Sequence, residues 1–98
     1  MPHDTFAAFD AAARAQGFDE VVERSWPPDT VLDTHRHAFA VSAQVVRGRM
    51  WLTVGDSTRE LGPGDTFTLD AEVPHAERYG SDGAAYWVAR RNPAAAAI

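Results

Sequence analysis

Hydrophobic side chains recur every three or four positions near the start of the chain and every second position over much of the remainder. Phe6, Phe9 and Ala13 share the helical spacing, and a residue that can cap a first turn precedes them. Gly17 can end the helix in a left-handed conformation. We therefore predict a helix over residues 5–16 that packs its apolar face on the outside of a sheet.

After the predicted helix, the spacing becomes that of extended segments separated by glycine, proline and aspartate. The predicted strands cover residues 18–26, 30–37, 39–47, 49–54, 57–61, 66–69, 75–79 and 84–91. Gly55-Asp56 suits a two-residue hairpin turn, and further turns are predicted at 62–65 and 80–83. Short strands joined in this way are typical of a sandwich or barrel. The predicted barrel covers residues 18–91, and the tail at 92–98 has little to pack against.

The size and charge of the chain narrow the classes of function. With 98 residues, 45% of them hydrophobic, the chain is predicted to form one domain over residues 1–98. Its formal net charge is −5 and its nine basic residues are all scattered arginines, so no basic face is predicted for nucleic acid. No stretch approaches the roughly 18 apolar residues of a membrane span. We expect a cytoplasmic protein without a nucleic-acid or membrane partner.

The absence of cysteine limits the chemistry that the chain can support. Disulfides, thiolate zinc sites and a cysteine nucleophile are excluded, so a bound metal must use nitrogen or oxygen ligands. His35 and His37 lie one residue apart in a predicted strand. Side chains two positions apart project from the same face of a strand, so both imidazoles can point at one ion. The alternative is an exposed pair without a function.

A third histidine, His75, follows Val73-Pro74 at the start of a later strand. Strands that are far apart in sequence lie side by side in a small barrel, so His75 can meet His35 and His37 inside it. The prediction is a cluster of three imidazoles that binds a metal ion. A polar pocket that is merely lined by histidines is the alternative.

These residues resemble the two sequence motifs of the cupins, a family of double-stranded β-helix barrels. The first motif reads G-x5-H-x-H-x3,4-E-x6-G, and His35, His37 and Gly48 match its spacing. Asp29 stands at the position of the opening glycine, and Val41 stands where the family has a ligand glutamate. The resemblance implies a metal site in which Val41 replaces that glutamate.

The second cupin motif reads G-x5-P-x-G-x2-H-x3-N and matches less completely. Gly64 and His75 keep their spacing. The residues at its proline, glycine and asparagine positions are Asp70, Glu72 and Tyr79. The resemblance covers about residues 30–79 and implies a mainly β jelly-roll barrel with one N-terminal helix.

As a cupin, the chain would use His35, His37 and His75 as metal ligands. Three neutral imidazoles leave both charges of a divalent ion uncompensated, so the centre would favour an anionic small molecule. Imidazole suits Fe, Ni, Zn and Cu and selects none of them. Three-histidine centres occur in cupin dioxygenases, and single-domain cupins are commonly homodimers. The resemblance therefore implies a homodimeric dioxygenase that acts on a small organic molecule.

Carboxylates near the cluster are candidates for further roles. Asp33 shares the predicted face of His35, while Glu77 and Tyr79 share the predicted face of His75. Either carboxylate could replace the missing glutamate. For Glu77 we favour a place beside the ligands or the role of general base, with Tyr79 as a second candidate for moving the proton. A carboxylate that lies in solvent at the barrel mouth is the alternative.

The positions of the remaining polar and aromatic residues predict where their side chains lie. Gln44 lies three positions after Val41 and so points to the opposite face of a regular strand. His3 lies in the lead-in before the helix and is expected in solvent. Tyr86 and Trp87 must point to opposite sides of their strand, so one of them is expected outside, where it would suit a dimer interface.

A second class of function fits the same residues. The barrel could be a non-catalytic module that binds a small molecule or a metal ion and acts as a sensor. Only one helix is predicted, so the chain lacks the helix pair of a DNA-binding motif. Sugar epimerisation and isomerisation, which other cupins perform, have no specific residue in their favour. Oxygenase and sensor are therefore the two hypotheses.

Overall fold

The computed structural model describes residues 2–93, which form one helix and six strands. The elements are α1 Phe6–Ala15, β1 Glu20–Trp26, β2 Val31–His35, β3 Ala40–Val54, β4 Ser57–Leu61, β5 Thr66–Leu69 and β6 His75–Arg91. The predicted mainly β fold with one N-terminal helix is confirmed. Residues 94–98 of the predicted tail lie outside the described residues. Within the described part of the chain, no helix is long and apolar enough to cross a membrane.

All strand pairs are antiparallel, and the sheet is built around β3 and β6. β6 pairs with β1, β2 and β3, while β3 also pairs with β4 and β5. The first part of β6 lies beside β2 and its last part beside β1, so β6 connects the two sides of the fold. The alternation of side chains along β6 therefore decides which of its residues face the interior.

β3 and β6 are each one long strand, whereas the sequence predicted a break in both. Gly48 pairs with Ala84 and Met50 with Tyr79, which leaves residues 80–83 bulging out of the ladder. The two backbones approach closely here, because a Cβ on Gly48, whose φ is +76°, would lie 2.0 Å from the carbonyl oxygen of residue 83. Glycine therefore permits a bend at this crossing and does not end either strand.

The main core consists of inward-facing residues from β3, β4, β5 and β6. Its most deeply buried members include Val45, Met50, Leu61, Tyr79 and Ala84. Removing such aliphatic and aromatic groups from water is the dominant favourable term in the folding of a domain. The core fixes the inner face of β6, on which the candidate functional residues lie.

The helix α1 covers a second, smaller cluster on the outside of the sheet. Phe9 and Ala13 of the helix bury against Ala89 of β6. The ring centroids of Phe9 and Trp87 lie 5.9 Å apart. Tyr86 faces the interior, and Trp87 points outward as alternation requires, but the helix covers it. The expectation of a free aromatic surface at this pair is therefore wrong.

Candidate metal centre

Three histidines converge where β2 meets the start of β6. His35 ends β2 and pairs in the ladder with His75, the first residue of β6. The ring centroids of His35 and His75 lie 4.4 Å apart. The ring centroid of His37 lies 4.9 Å from that of His35 and 5.2 Å from that of His75. One ring nitrogen from each histidine lies within 4.8 Å of the other two. The three side chains predicted to meet therefore do so.

Backbone carbonyls orient two of the rings. Nδ1 of His35 lies 2.7 Å from the carbonyl oxygen of Asp33, and Nδ1 of His75 lies 2.9 Å from that of Val73. A carbonyl oxygen can only accept a hydrogen bond, so in each ring Nδ1 carries the proton and donates it. In the neutral form, Nε2 then keeps a lone pair, which is the arrangement usual for metal-binding histidines.

The Glu77 carboxylate faces both of these lone pairs. Its Oε2 lies 3.3 Å from Nε2 of His35 and 3.8 Å from Nε2 of His75, and the side chain is buried. A buried carboxylate beside imidazole lone pairs needs a compensating positive charge. Three imidazole nitrogens with this carboxylate beside them therefore fit a divalent transition-metal ion.

The environment of His37 also suits a metal ligand. Its ring stacks on Phe39, with centroids 4.7 Å apart and an interplanar angle of 8°. Burial, and then the charges of His35 and His75, lower the pKa of His37 below its ordinary value. The neutral ring is therefore favoured near pH 7, and neutral imidazole is the form that binds metal ions.

A cavity of about 140 Å³ adjoins the histidines. Besides them, Glu77 and two arginines, its walls are apolar or aromatic and consist of Trp26, Leu32, Phe39, Val41, Phe67, Leu69, Tyr86 and Val88. Small-molecule sites are typically of this kind, with a few polar groups set in an apolar wall. The cavity therefore has the composition expected for a small organic ligand.

Asp33 does not belong to this site, contrary to the prediction from strand alternation. The ladder between β2 and β6 shifts between Leu32 and His35, so these two residues line the same cavity although they lie an odd number of positions apart. Asp33 is exposed and lines a different hollow on the surface. Glu77 is thus the carboxylate that the fold brings to the cluster.

Tyr79 lies behind Glu77 and not on the cavity wall. Its hydroxyl donates a hydrogen bond of 2.6 Å to Oε1 of Glu77, and its ring stacks on Trp26 with centroids 5.5 Å apart. Burial, reinforced by the nearby Tyr86 and Glu77, raises the pKa of Tyr79 far above its ordinary value. The hydroxyl therefore remains protonated and holds the carboxylate in place.

Gln44 and His3 pair with each other away from the cavity. The Gln44 side chain accepts a hydrogen bond of 2.9 Å from the backbone N–H of His3 and donates one of 2.8 Å to its carbonyl oxygen. The ring of His3 lies edge-on to Phe9, with centroids 6.0 Å apart. The expectation that His3 lies free in solvent is wrong, because the buried Gln44 docks the lead-in onto the barrel.

Two arginines, Arg24 and Arg90, also lie on the cavity wall. Neither belongs to a motif, and a lone arginine in a strand usually points to solvent. The available signal was parity, since Arg90 alternates in step with Val88 and Tyr86 along β6.

Comparison with known proteins agrees with this architecture. A model of the cupin domain family matches residues 22–89. Among solved structures, a DMSP lyase is 25% identical with a TM-score of 0.68 over 80% of this chain and 40% of its own. The polyketide cyclase RemF from Streptomyces resistomycificus is 26% identical, with a TM-score of 0.62 over 81% of this chain and 60% of its own.

An RmlC-like cupin from Shewanella frigidimarina is 19% identical, with a TM-score of 0.64 over 76% of this chain and 67% of its own. At that identity the likeness concerns the fold alone. This chain spans less than half the length of the DMSP lyase chain, to which it is similar. Because the family model matches well over half of the chain, and the strands have the arrangement of a solved cupin, the chain belongs to the cupin domain family.

Proposed function

We propose that this cupin holds one divalent transition-metal ion through His35, His37 and His75 and binds a small organic molecule in the adjoining cavity. The observation that carries the proposal is the convergence of three ring nitrogens within 4.8 Å of one another. Fe, Ni, Zn and Cu all accept imidazole ligands, and a cluster of three histidines without a sulfur ligand leaves the choice among them open.

For the reaction, we favour a metal-dependent dioxygenase acting on that small molecule. The bound ion would supply Lewis acidity and open coordination positions. Glu77 would accept a proton from a substrate in the cavity, since its buried carboxylate lines the wall beside the imidazoles. Tyr79 would act through Glu77, because its hydroxyl donates a hydrogen bond to that carboxylate and its side chain does not line the cavity.

A non-catalytic module that binds a small molecule or a metal ion and serves as a sensor is the second candidate. The apolar Val41, which lines the cavity where the family has a ligand glutamate, favours it. A centre with fewer anionic ligands has to take its compensating charge from what it binds. Such a protein would report an anionic ligand and would not transform it.

Three expectations from the sequence remain predictions. The bound molecule is expected to be anionic, which the arginines Arg24 and Arg90 on the cavity wall support. The chain is expected in the cytoplasm and as a homodimer. Sedimentation of the purified protein measures the dimer directly, and a monomer at all concentrations would contradict it.

Elemental analysis of protein purified without added metal tests the ligand assignment. Wild type is expected to carry about one transition-metal ion per chain, and His35→Ala and His75→Ala are expected to lose it. His3→Ala is the matched control, because His3 bonds to Gln44 and lies outside the cluster. Equal metal content in all four proteins would refute the assignment.

Oxygen consumption then separates the dioxygenase from the sensor. The metal-loaded protein is tested with diketones, thiols and phenols, and a dioxygenase consumes oxygen with at least one of these classes. The Glu77→Gln variant is expected to lower the rate while keeping its metal, because it removes the base and leaves the three imidazoles. Binding without oxygen uptake across the panel supports the sensor.

A further inference from the structure

Val41 and Arg90 are partners across the ladder between β3 and β6. Side chains of such cross-strand partners have Cβ atoms about 4.5–5.5 Å apart. Both residues line the cavity next to the histidines. An arginine therefore stands beside the position where the first cupin motif has a carboxylate and this chain has a valine.

The guanidinium of Arg90 has spare hydrogen-bonding capacity. Its Nε is buried and finds no hydrogen-bond partner among residues 2–93. Nη1 makes one long contact of 3.4 Å with the Glu20 carboxylate. The guanidinium carbon lies 5.0 Å from the centroid of Phe39, whose ring stacks on His37. A buried donor without a partner is costly, so a ligand that accepts from Arg90 is stabilised there.

The charges around the cavity also favour an anion. One buried carboxylate, Glu77, lies beside the three imidazoles, and Arg24 and Arg90 add two positive charges to the wall. A divalent ion would add two more. The Arg24 guanidinium carbon lies 4.9 Å from the Trp26 ring centroid, where the ring face supports a cation without neutralising it. Glu77 and Glu20, which contacts Arg90, balance two of these four positive charges, so the cavity stays positive when the ion is bound.

The shape of the cavity limits the size of the anion. Its volume is about 140 Å³, close to that of an engineered apolar cavity of about 150 Å³ that accepts benzene. Phe67, Leu69 and Val88 form apolar walls that can take a body of that size but no second charged group. The volume and walls select a small molecule with one charged end.

We infer that the cavity binds a small monocarboxylate whose apolar body is about the size of one ring. The carboxylate of this ligand accepts hydrogen bonds from Arg90. It lies beside the metal, where the first cupin motif has a glutamate and this chain has Val41. A planar guanidinium suits a carboxylate because it can donate two parallel hydrogen bonds. This inference rests on the proposed function for the metal, while the anchoring by Arg90 is measurable without it.

Calorimetric titration of the nickel-loaded protein with benzoate tests the inference, with neutral benzamide as the matched ligand. Wild type is expected to bind benzoate in preference to benzamide, and Arg90→Gln to bind benzoate roughly tenfold more weakly or worse. Arg91→Gln is the control on the same strand. Arg91 faces away from the cavity and donates a hydrogen bond of 2.8 Å to the carbonyl oxygen of Gln16. This control is expected to bind benzoate as wild type does.

A second variant, Val41→Glu, tests the same idea without removing an arginine. The new carboxylate would pair with Arg90 and occupy the anion site, so benzoate binding is expected to be lost while metal content is retained. Circular dichroism of each variant establishes that it folds, and either variant alone can decide the outcome.

Metal content is measured in the same samples, which separates this inference from the proposed function. Equal benzoate affinity in wild type and Arg90→Gln, or no preference over benzamide, overturns the inference even if nickel binds. If no nickel binds, the metal proposal fails, and benzoate binding that still depends on Arg90 supports the anion site. Absence of benzoate binding in every form overturns the inference.

Discussion

The hydroxyl of Tyr79 donates a hydrogen bond of 2.6 Å to Oε1 of Glu77, and both side chains are buried. The other oxygen of the same carboxylate lies 3.3 Å from Nε2 of His35. One continuous row of polar groups thus runs from the core to the candidate metal centre. The position of the carboxylate is set by the packing of the core, which aims Oε2 at the imidazoles.

The Tyr79→Phe variant removes the hydroxyl and is expected to lower the free energy of unfolding by about 1.5–3 kcal/mol. The reason is that the buried Glu77 carboxylate, a charged group, loses its hydrogen-bond donor. The ring and its stacking on Trp26 are kept. Urea unfolding at pH 7 measures the change. Glu60→Ala is the control, since the ion pair of Glu60 with Arg49 is exposed and should matter by less than about 0.5 kcal/mol. A Tyr79→Phe protein as stable as wild type would contradict the role given to this hydrogen bond.

The only two tyrosines, Tyr79 and Tyr86, are expected not to ionise in the folded protein near pH 10. Burial is the main cause that raises the pKa of each above the ordinary 10.0. Because the folded state holds the protons more tightly, stability is fully present below about pH 10 and is lost as the pH rises above it. Absorbance at 295 nm should therefore rise only together with loss of the circular dichroism signal. A midpoint near pH 10 with the fold intact would show that the rings are not buried.

Gly48→Ala is expected to destabilise the protein by more than about 3 kcal/mol or to prevent folding, because the added methyl group meets backbone and not a movable side chain. Gly64→Ala is the matched control. Gly64 also has a positive φ, of +91°, but a Cβ there has open space, so only the backbone strain of about 1–2 kcal/mol is expected. Thermal unfolding compares the two variants, and equal losses would mean that the close crossing of β3 and β6 is not what requires glycine.

Local sequence patterns predicted the helix, the β class and the meeting of the three histidines, because each follows from spacing along one element or from antiparallel neighbours. The same reasoning failed at Gly48, where a glycine marks a close crossing and not the end of a strand. Asp33 was placed with His35 on the assumption of a regular strand, and a shift in the ladder removed it. Such irregularities depend on the neighbouring strand, which local spacing does not contain.

Arg90 shows a different limit of the sequence. Arg90 lies two positions after Val88, so strand alternation predicts that its side chain points into the barrel. An arginine on a strand is ordinarily a surface residue, however. Only the pairing of Arg90 with Val41 shows that its side chain lies on the cavity wall. Val41 itself was informative only through the resemblance to the cupin motif. A ligand position that has lost its carboxylate looks like any other core valine until its neighbours are known.

The most direct test of the metal centre is X-ray absorption spectroscopy of the zinc-loaded protein, which counts the imidazole rings around the ion. Wild type and His3→Ala are expected to show three imidazoles at about 2.0–2.1 Å. His75→Ala is expected to show two, or to lose the ion. An imidazole count that does not change when His75 is removed, or zinc without imidazole scattering, would contradict the assignment of His35, His37 and His75 as ligands.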